Sequence, residues 1–116
     1  MNIYHILPKA DWAAALEQGS YQPPSLQSER FIHFSTLAQV VHSGNRYYKN
    51  VDGLCVLVVD VSKLAADVHM ENTVGGTELF PHLYGPMNLE AVVKVVDFPH
   101  DEHGEFHMPQ GIEAAD

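Results

Sequence analysis

The sequence predicts a small α+β domain, with a central mixed or antiparallel sheet and two helices in its N-terminal half. Three observations lead to this prediction. Apolar residues dominate short segments such as residues 3–7, as expected for a strand. They recur about one helical turn apart elsewhere, as Trp12 and Leu16 do. A valine-rich run at residues 54–61 is typical of a strand that is covered on both faces.

Length and composition predict a single domain. The chain has 116 residues, of which 46% are hydrophobic and 18% are charged, and this is enough for one core but not for two. We expect the domain to span residues 1–116, with its core over about residues 2–109. The tail at 110–116 is expected to be flexible, because termini without apolar anchors usually fray.

The chain is predicted to begin with a strand, a helix and a loop. Residues 3–7 form the strand, in which His5 interrupts an apolar face. The helix starts near Ala10, packs through its tryptophan and leucine, and ends at Gly19 as a C-terminal cap. Two adjacent prolines within residues 20–30 favour a surface loop.

A second strand and helix should follow this loop. Residues 31–34 read as a short strand, and Thr36 and Gln39 have the spacing of a capping box at a helix start. Gly44 weakens the middle of that helix by roughly 1 kcal/mol relative to alanine. The predicted apolar stripe of the helix consists of Leu37, Val40, Val41, Tyr47 and Tyr48.

The C-terminal half is predicted to consist of strands. Residues 54–61 form the central strand, and shorter strands follow at about 68–71 and 91–98. The prolines of the FPHLYGP segment should prevent regular pairing throughout it. The last strand is expected to form a hairpin with residues 105–108.

Charge and composition exclude several partners. Six Lys and Arg against fifteen Asp and Glu give a formal charge of -9, which would repel a long nucleic acid. No apolar run approaches the roughly 20 residues of a membrane helix, and no export signal is visible. The one cysteine, Cys55, is expected to be a buried, unreactive thiol. We expect a cytoplasmic protein.

Three of the eight histidines lie in short apolar segments. His5 and His33 occupy the middle of predicted strands, and His82 follows a proline. Alone, each is typical of a hydrogen-bonded core residue. Together, they would form a site that donates, accepts and carries protons near neutral pH. We therefore predict a cleft built from the YHI, FIHFS and FPHLYG segments.

Other polar residues are candidates for the same cleft. Glu71 and Glu78 flank a Gly-Gly turn, where each is either a solvated surface carboxylate or one that binds sugar hydroxyls and stabilises a developing cation. Tyr84 is either a ligand contact or a core residue. Ser35 is predicted at a helix N-terminus, whose free N–H groups suit a phosphate or a carboxylate.

A metal site is not expected. His100, His103 and His107 lie in an acidic turn, but no HExxH or paired CxxC pattern accompanies them. The sequence also lacks a Gly-rich phosphate loop, a GxSxG elbow and a dinucleotide fingerprint. A metal-dependent hydrolase that uses His33, His82 and a glutamate is the least favoured alternative.

The order of the segments YHIL, a tryptophan helix ending in GSY, FIHFST with Gln39, and FPHLYGP resembles the bacterial domain of unknown function 952 family. The resemblance covers most of the chain, from Ile3 to about Phe98. It implies an ADP-ribosyltransferase-like fold, similar to that of the RNA 2'-phosphotransferases that use NAD. In those enzymes an HGT strand, a tryptophan helix and an HIHF strand follow in the same order.

By this resemblance, His5 and His33 would face the nicotinamide ribose or the adenosine end of NAD. Glu71 or Glu78 would be the ribose-binding acid. The cofactor contacts would include Ser35, Gln39 and Tyr84. The chain departs from the RNA enzymes, because Ile-Leu replaces their Gly-Thr and few arginines are present, so an RNA substrate is not expected.

Two hypotheses follow from these residues. The first is an ADP-ribosyltransferase-like enzyme that acts on NAD or a small ADP-ribose compound, with Glu71, Glu78, His33 and His82 as catalytic candidates. The second is a non-catalytic module on the same fold that binds a nucleotide or a related metabolite. The incomplete set of phosphate-binding residues favours the second.

Overall fold

Three α-helices and three small sheets make up the fold in the computed structural model, which describes residues 1–73 and 75–112. The helices are α1 (Lys9–Gln18), α2 (Ser25–Ser28) and α3 (Val40–Tyr47). The strands are β1 (Asn2–Pro8), β2 (Ser20–Tyr21), β3 (Ile32–His33), β4 (Leu54–Asp60), β5 (Asp67–Glu71), β6 (Phe80–Tyr84), β7 (Met87–Asn88) and β8 (Val92–Asp97). The predicted α+β class is confirmed. Within the described ranges, no helix has the length and apolar composition needed to cross a membrane.

The sheets have the strand orders β1-β4-β8, β3-β6-β5 and β2-β7, and all their pairings are antiparallel. The prediction of one central sheet is therefore wrong. Strands β2, β3 and β7 contain only two residues each, and a single bridge between Tyr4 and Ser35 links β1 to the segment after β3.

Strand β4 is the middle strand of the sheet β1-β4-β8, as its sequence predicts. Cys55, Leu57 and Val59 pack into one hydrophobic cluster, whereas Val56 and Val58 pack into a second. The sheet therefore carries a core on each face. Burial raises the pKa of the Cys55 thiol to about 11, which fits the predicted unreactive side chain.

Helix α1 ends as predicted but packs differently. Gly19 has a φ of 82°, and its nitrogen lies 2.9 Å from the carbonyl oxygen of Ala15, as in a C-terminal cap. Trp12 is partly buried against the first cluster, but Leu16 is 56% exposed. The predicted packing through Leu16 is wrong, because the buried face of α1 runs through Trp12 and Ala15.

The segment between α1 and β3 contains regular structure, so the prediction of a loop over residues 20–30 is wrong. Strand β2 pairs with β7, and the single turn of α2 begins after Pro24. Prolines fit in front of this helix because the N–H groups of a first helical turn have no partner within the helix. In the turn that begins this helix, the Pro23 carbonyl oxygen accepts a hydrogen bond from the Leu26 N–H at 3.0 Å.

The approach to α3 differs from the prediction at Ser35. Thr36 and Gln39 make the predicted capping contact, in which the Thr36 N–H donates to Gln39 Oε1 at 3.0 Å. The helix itself begins at Val40. Ser35 lies before the intervening turn and pairs its backbone with Tyr4 at 2.7 and 2.8 Å. Its predicted place at a helix N-terminus is wrong.

Gly44 has a packing role in α3. A Cβ atom at this position would lie 2.7 Å from the ring of Phe98. Only glycine therefore lets α3 approach the second cluster this closely. Of the predicted apolar stripe, Val40 is fully buried, but Tyr47 is 53% exposed.

Strand β6 pairs on both sides despite Pro81, so the prediction that prolines prevent regular pairing throughout FPHLYGP is wrong for Phe80–Tyr84. The Pro81 carbonyl oxygen accepts from the Phe34 N–H at 2.9 Å. In a strand, the N–H and C=O of one residue point to the same side. The N–H that Pro81 lacks would therefore point toward β3, at a position beyond the two-residue ladder between β3 and β6. No hydrogen bond between β6 and β5 is lost.

The segment after β8 is anchored to the second cluster. The predicted hairpin is reduced to one bridge between His100 and Phe106. Ile112 is only 1% exposed, so packing extends beyond the predicted limit near residue 109. The rest of the predicted flexible tail, 113–116, lies outside the described residues.

Candidate functional site

A cavity of about 390 Å³ is lined by residues of β1, β3, β6 and α3 and of the segments beside them. Small-molecule sites typically have volumes of roughly 300 to 1,000 Å³. Four of the eight side chains singled out from the sequence line the cavity, namely His5, His33, Ser35 and His82. The other described lining residues are mostly aromatic or apolar: Tyr4, Ile6, Glu29, Phe31, Ser43, Tyr47, Tyr48, Thr73 and Phe80.

His5 has partners at both ring nitrogens. Nδ1 lies 2.7 Å from the carbonyl oxygen of His33, and Nε2 lies 2.8 Å from the Tyr21 hydroxyl. Because a carbonyl oxygen only accepts, Nδ1 carries the proton and Nε2 accepts from Tyr21. Burial lowers the pKa of His5 to about 4. His5 is therefore a neutral side chain that ties β1 to β2 and β3 in the cavity wall.

His33, His82 and Glu71 form a continuous chain of hydrogen bonds. Strand pairing places His33 opposite His82, and the two rings lie 3.1 Å apart at Nδ1 of His33 and Nε2 of His82. His82 Nδ1 lies 2.9 Å from Glu71 Oε1, and the Tyr84 hydroxyl donates to the same oxygen. The Phe31 ring stacks on His82, with ring centres 3.9 Å apart and an interplanar angle of 13°.

Glu71 determines where the protons lie in this chain. Hydrogen bonds from Tyr84 and then His82 lower the pKa of Glu71, so it is an ionised carboxylate that only accepts. In a neutral His82 ring the proton must therefore lie on Nδ1. His82 Nε2 then accepts, and His33 donates to it from Nδ1.

His33 is left with an unprotonated Nε2. This nitrogen is buried in the cavity wall and has no hydrogen-bond partner among the described residues. Burial lowers the pKa of His33 to about 4, and repulsion between the two rings, were both protonated, acts in the same direction. Leaving an acceptor buried without a partner costs about 1 to 3 kcal/mol. A ligand with an O–H or N–H group would recover that free energy.

The remaining candidates serve other contacts. Glu71, Tyr84, Gln39 and Glu78 are not among the described residues that line the cavity. The Gln39 Nε2 group donates to the carbonyl oxygen of Leu79 at 2.8 Å and to Glu78 Oε2 at 3.1 Å. Gln39 thus holds the segment before β6 against α3.

The cavity wall offers little to an anion. Of the described lining residues, Glu29 is the one with a formal charge, and none is Lys or Arg. The Arg46 guanidinium lies 5.3 Å from the ring centre of Tyr47, which lines the cavity, so a cation lies near it without being part of its wall. The chemistry of the wall suits a neutral or cationic ligand that is partly aromatic.

The histidines of the acidic turn do not converge on one point. Their rings lie beside different acidic residues, with His100 next to Asp52, His103 next to Glu102 and His107 next to Asp101. In the part of the chain that the structure describes, no group of three or more histidine, cysteine or acidic side chains is placed to hold a metal ion.

Sequence reasoning missed two aromatic contacts of the site. Tyr21, the partner of His5, lies in the segment that was expected to be a loop. Phe31 precedes His33 by two residues, and this period of two places both on one face of a strand. That spacing was the available signal for Phe31, whereas nothing local to Tyr21 indicates its contact with β1.

The sequence matches the family model described as protein of unknown function DUF952, over residues 6–95. The chain belongs to this family. The match includes the FIHFST and FPHLYGP segments and confirms the family resemblance predicted from them. No curated protein matches the chain.

Solved structures of protein CC0527 from Caulobacter crescentus are similar to this domain. The crystal structure has a TM-score of 0.83 at 30% sequence identity, and the match covers 99% of this chain and 98% of that one. The solution NMR structure has a TM-score of 0.78 at 32% identity, with 94% and 91% covered. These likenesses support the α+β fold and assign no activity, so the ADP-ribosyltransferase-like assignment stays a prediction.

Proposed function

We propose that the domain binds the nicotinamide ribose part of NAD, or of a small ADP-ribose compound, and acts on it as an ADP-ribosyltransferase-like transferase. One observation carries the proposal: a buried ring nitrogen of His33, which has no partner among the described residues, lies in the wall of a cavity with aromatic walls. A planar ring packs well on such walls. The neutral acceptor suits a ribose hydroxyl or a carboxamide N–H.

NAD fits the cavity in part. The nicotinamide ring of NAD is a cation and its ribose is neutral, and both suit a wall that has the Glu29 carboxylate and no Lys or Arg among its described residues. The pyrophosphate has no Lys or Arg to bind among the described lining residues. In the proposed complex, the phosphates therefore extend out of the cavity, and nicotinamide ribose supplies most of the affinity.

A thermal-shift titration tests binding. The protein is titrated with NAD, ADP-ribose and nicotinamide, and the same series is run on His33→Ala and on His42→Ala, which removes an exposed histidine of α3. A ligand at a hundredfold excess over its dissociation constant stabilises the native state by about 2.7 kcal/mol. We expect a shift with NAD that His33→Ala abolishes and His42→Ala retains. The absence of a shift with all three ligands would contradict the proposal.

Release of free nicotinamide from NAD tests turnover. Glu71→Gln and Glu78→Gln are compared with the wild-type protein, and loss of turnover in one of them identifies the acid that the chemistry needs. If both variants keep full turnover, neither glutamate stabilises a ribosyl cation and that role is refuted.

A second candidate function is a non-catalytic binding module on the same fold. It is favoured by the positions of the two acids, because Glu71 is held by His82 and Tyr84, and Glu78 contacts Gln39. Neither acid is among the described residues that line the cavity. Affinity for NAD without turnover in the wild-type protein would identify this function.

A further inference from the structure

We propose that Glu71, His82 and His33 form a proton relay that removes a proton from a hydroxyl group bound in the cavity. The inference rests on the proposed function in one respect, which is that the cavity takes a ligand. It rests otherwise on the hydrogen-bonded chain from His33 through His82 to Glu71. His33 is the catalytic residue, and His82 and Glu71 act through it as positioning residues.

The transfer moves protons and no other atoms. The ligand O–H bond breaks, its oxygen keeps the electron pair, and the proton binds His33 Nε2. The proton on His33 Nδ1 passes to His82 Nε2, 3.1 Å away. His33 ends neutral as the opposite tautomer, and His82 becomes an imidazolium that keeps its Nδ1 proton toward Glu71.

The surroundings favour the charge on His82 over His33. His82 is 1% exposed, and a buried imidazolium needs an opposite charge, which Glu71 supplies at 2.9 Å. The face of the stacked Phe31 ring also attracts a cation. His33 contacts His82 and the Phe80 ring but has no carboxylate beside it in the described contacts.

The titratable groups around the relay come from several elements. Strand β1 contributes His5, which binds the His33 backbone, and the segment before β3 contributes Glu29 in the cavity wall. Strand β5 contributes His69, opposite His82 in the ladder, and β6 contributes Tyr84, which holds the Glu71 carboxylate. Among these, Glu71 is the carboxylate that contacts an imidazole of the relay.

The relay specifies a class of ligand group. It takes a neutral O–H, such as a sugar hydroxyl, because an anion lacks the proton that His33 Nε2 accepts. The product is an oxygen nucleophile held beside a neutral imidazole. This role differs from direct stabilisation of a ribosyl cation by Glu71, because it needs no contact between Glu71 and the ligand.

Nitrogen-15 NMR of the ligand-free protein tests the relay directly. Long-range proton–nitrogen spectra assign the tautomer of each ring while the pH is lowered stepwise. We expect His33 and His82 to start with their protons on Nδ1. Upon proton uptake, His33 should change to the Nε2 tautomer and stay neutral, while His82 becomes doubly protonated in the same step.

Glu71→Gln and Glu17→Gln complete the test. The glutamine keeps an acceptor oxygen for His82 and Tyr84 but removes the charge, so at a given pH the doubly protonated form of His82 should fall about tenfold or more. Glu17 lies exposed on α1, and its variant should match the wild type.

Three results overturn the relay: His33 itself becomes doubly protonated, neutral His82 carries its proton on Nε2, or Glu71→Gln takes up protons like the wild type. None of these depends on ligand binding, so failure of the relay is distinguishable from failure of the NAD titration. The wild-type spectra alone decide the matter if the variant does not fold.

Discussion

Acidification from pH 7 to pH 5 should destabilise the protein through its neutral, buried histidines. His5 has a pKa of about 4 in the native protein, against an ordinary value of 6.5, because burial disfavours its charged form. The unfolded chain therefore binds more protons than the native protein between these two values. The free energy of unfolding falls as the pH falls through this window.

The magnitude for His5 follows from the two pKa values. At 1.36 kcal/mol for each pKa unit, the full effect is about 3 kcal/mol, and about 2 kcal/mol of it falls between pH 7 and pH 5. His33, with its pKa also lowered to about 4, acts in the same direction. His100 acts in the opposite direction, because a hydrogen bond to the Asp101 backbone raises its pKa. Its contribution is present at low pH and is lost as the pH rises through that raised value.

Urea unfolding followed by circular dichroism at pH 7, 6 and 5 measures the effect. The wild-type free energy of unfolding should decrease by about 2 kcal/mol or more across this range. His5→Gln should flatten the dependence, and His42→Gln, which changes an exposed histidine, should leave it intact. A wild-type stability that is constant or rises toward pH 5 would refute the assignment of neutral histidines to the cavity wall.

Further predictions concern the core and the surface. Gly44→Ala should destabilise the protein by up to about 2 kcal/mol in urea unfolding, because the clash with Phe98 outweighs a gain of about 1 kcal/mol in helix propensity. A net stabilisation would contradict the packing of α3 against Phe98. Cys55 should react with a thiol reagent only as fast as the protein opens, and rapid labelling under native conditions would disprove its burial. Leu16→Ala should change the free energy of unfolding by less than about 0.5 kcal/mol, whereas Leu57→Ala should lower it by about 2 to 5 kcal/mol in the same assay. A loss at Leu16 as large as that at Leu57 would show that α1 packs through Leu16.

Local patterns predicted the parts of the fold that depend on local chemistry. The valine-rich run gave the correct central strand, and Gly19 the correct end of α1, because burial on both faces and a left-handed cap leave clear signatures in sequence. Leu16 and Pro81 were misread for a different reason. Which side of α1 is buried, and which edge of β6 lacks a partner, depend on neighbours far away in the chain.

The sequence predicted which histidines meet in the candidate site but not the hydrogen bonds that connect them. The positions of His5, His33 and His82 in short apolar segments brought them to attention, and all three line one cavity. The hydrogen bond between His82 and Glu71 depends on the pairing of β5 with β6, which the prolines of FPHLYGP were predicted to prevent. Likewise, the proton positions follow only from the distances between the rings and the carboxylate.

We propose that His33 Nε2 accepts a hydrogen bond from a ligand in the cavity. The most direct measurement is the nitrogen-15 resonance of His33 Nε2 during a titration with NAD, with exposed His42 as the internal reference. We expect the His33 Nε2 resonance to move toward the position of a hydrogen-bonded nitrogen and the His42 resonances to stay unchanged. A His33 resonance that stays in place at saturating NAD would contradict it.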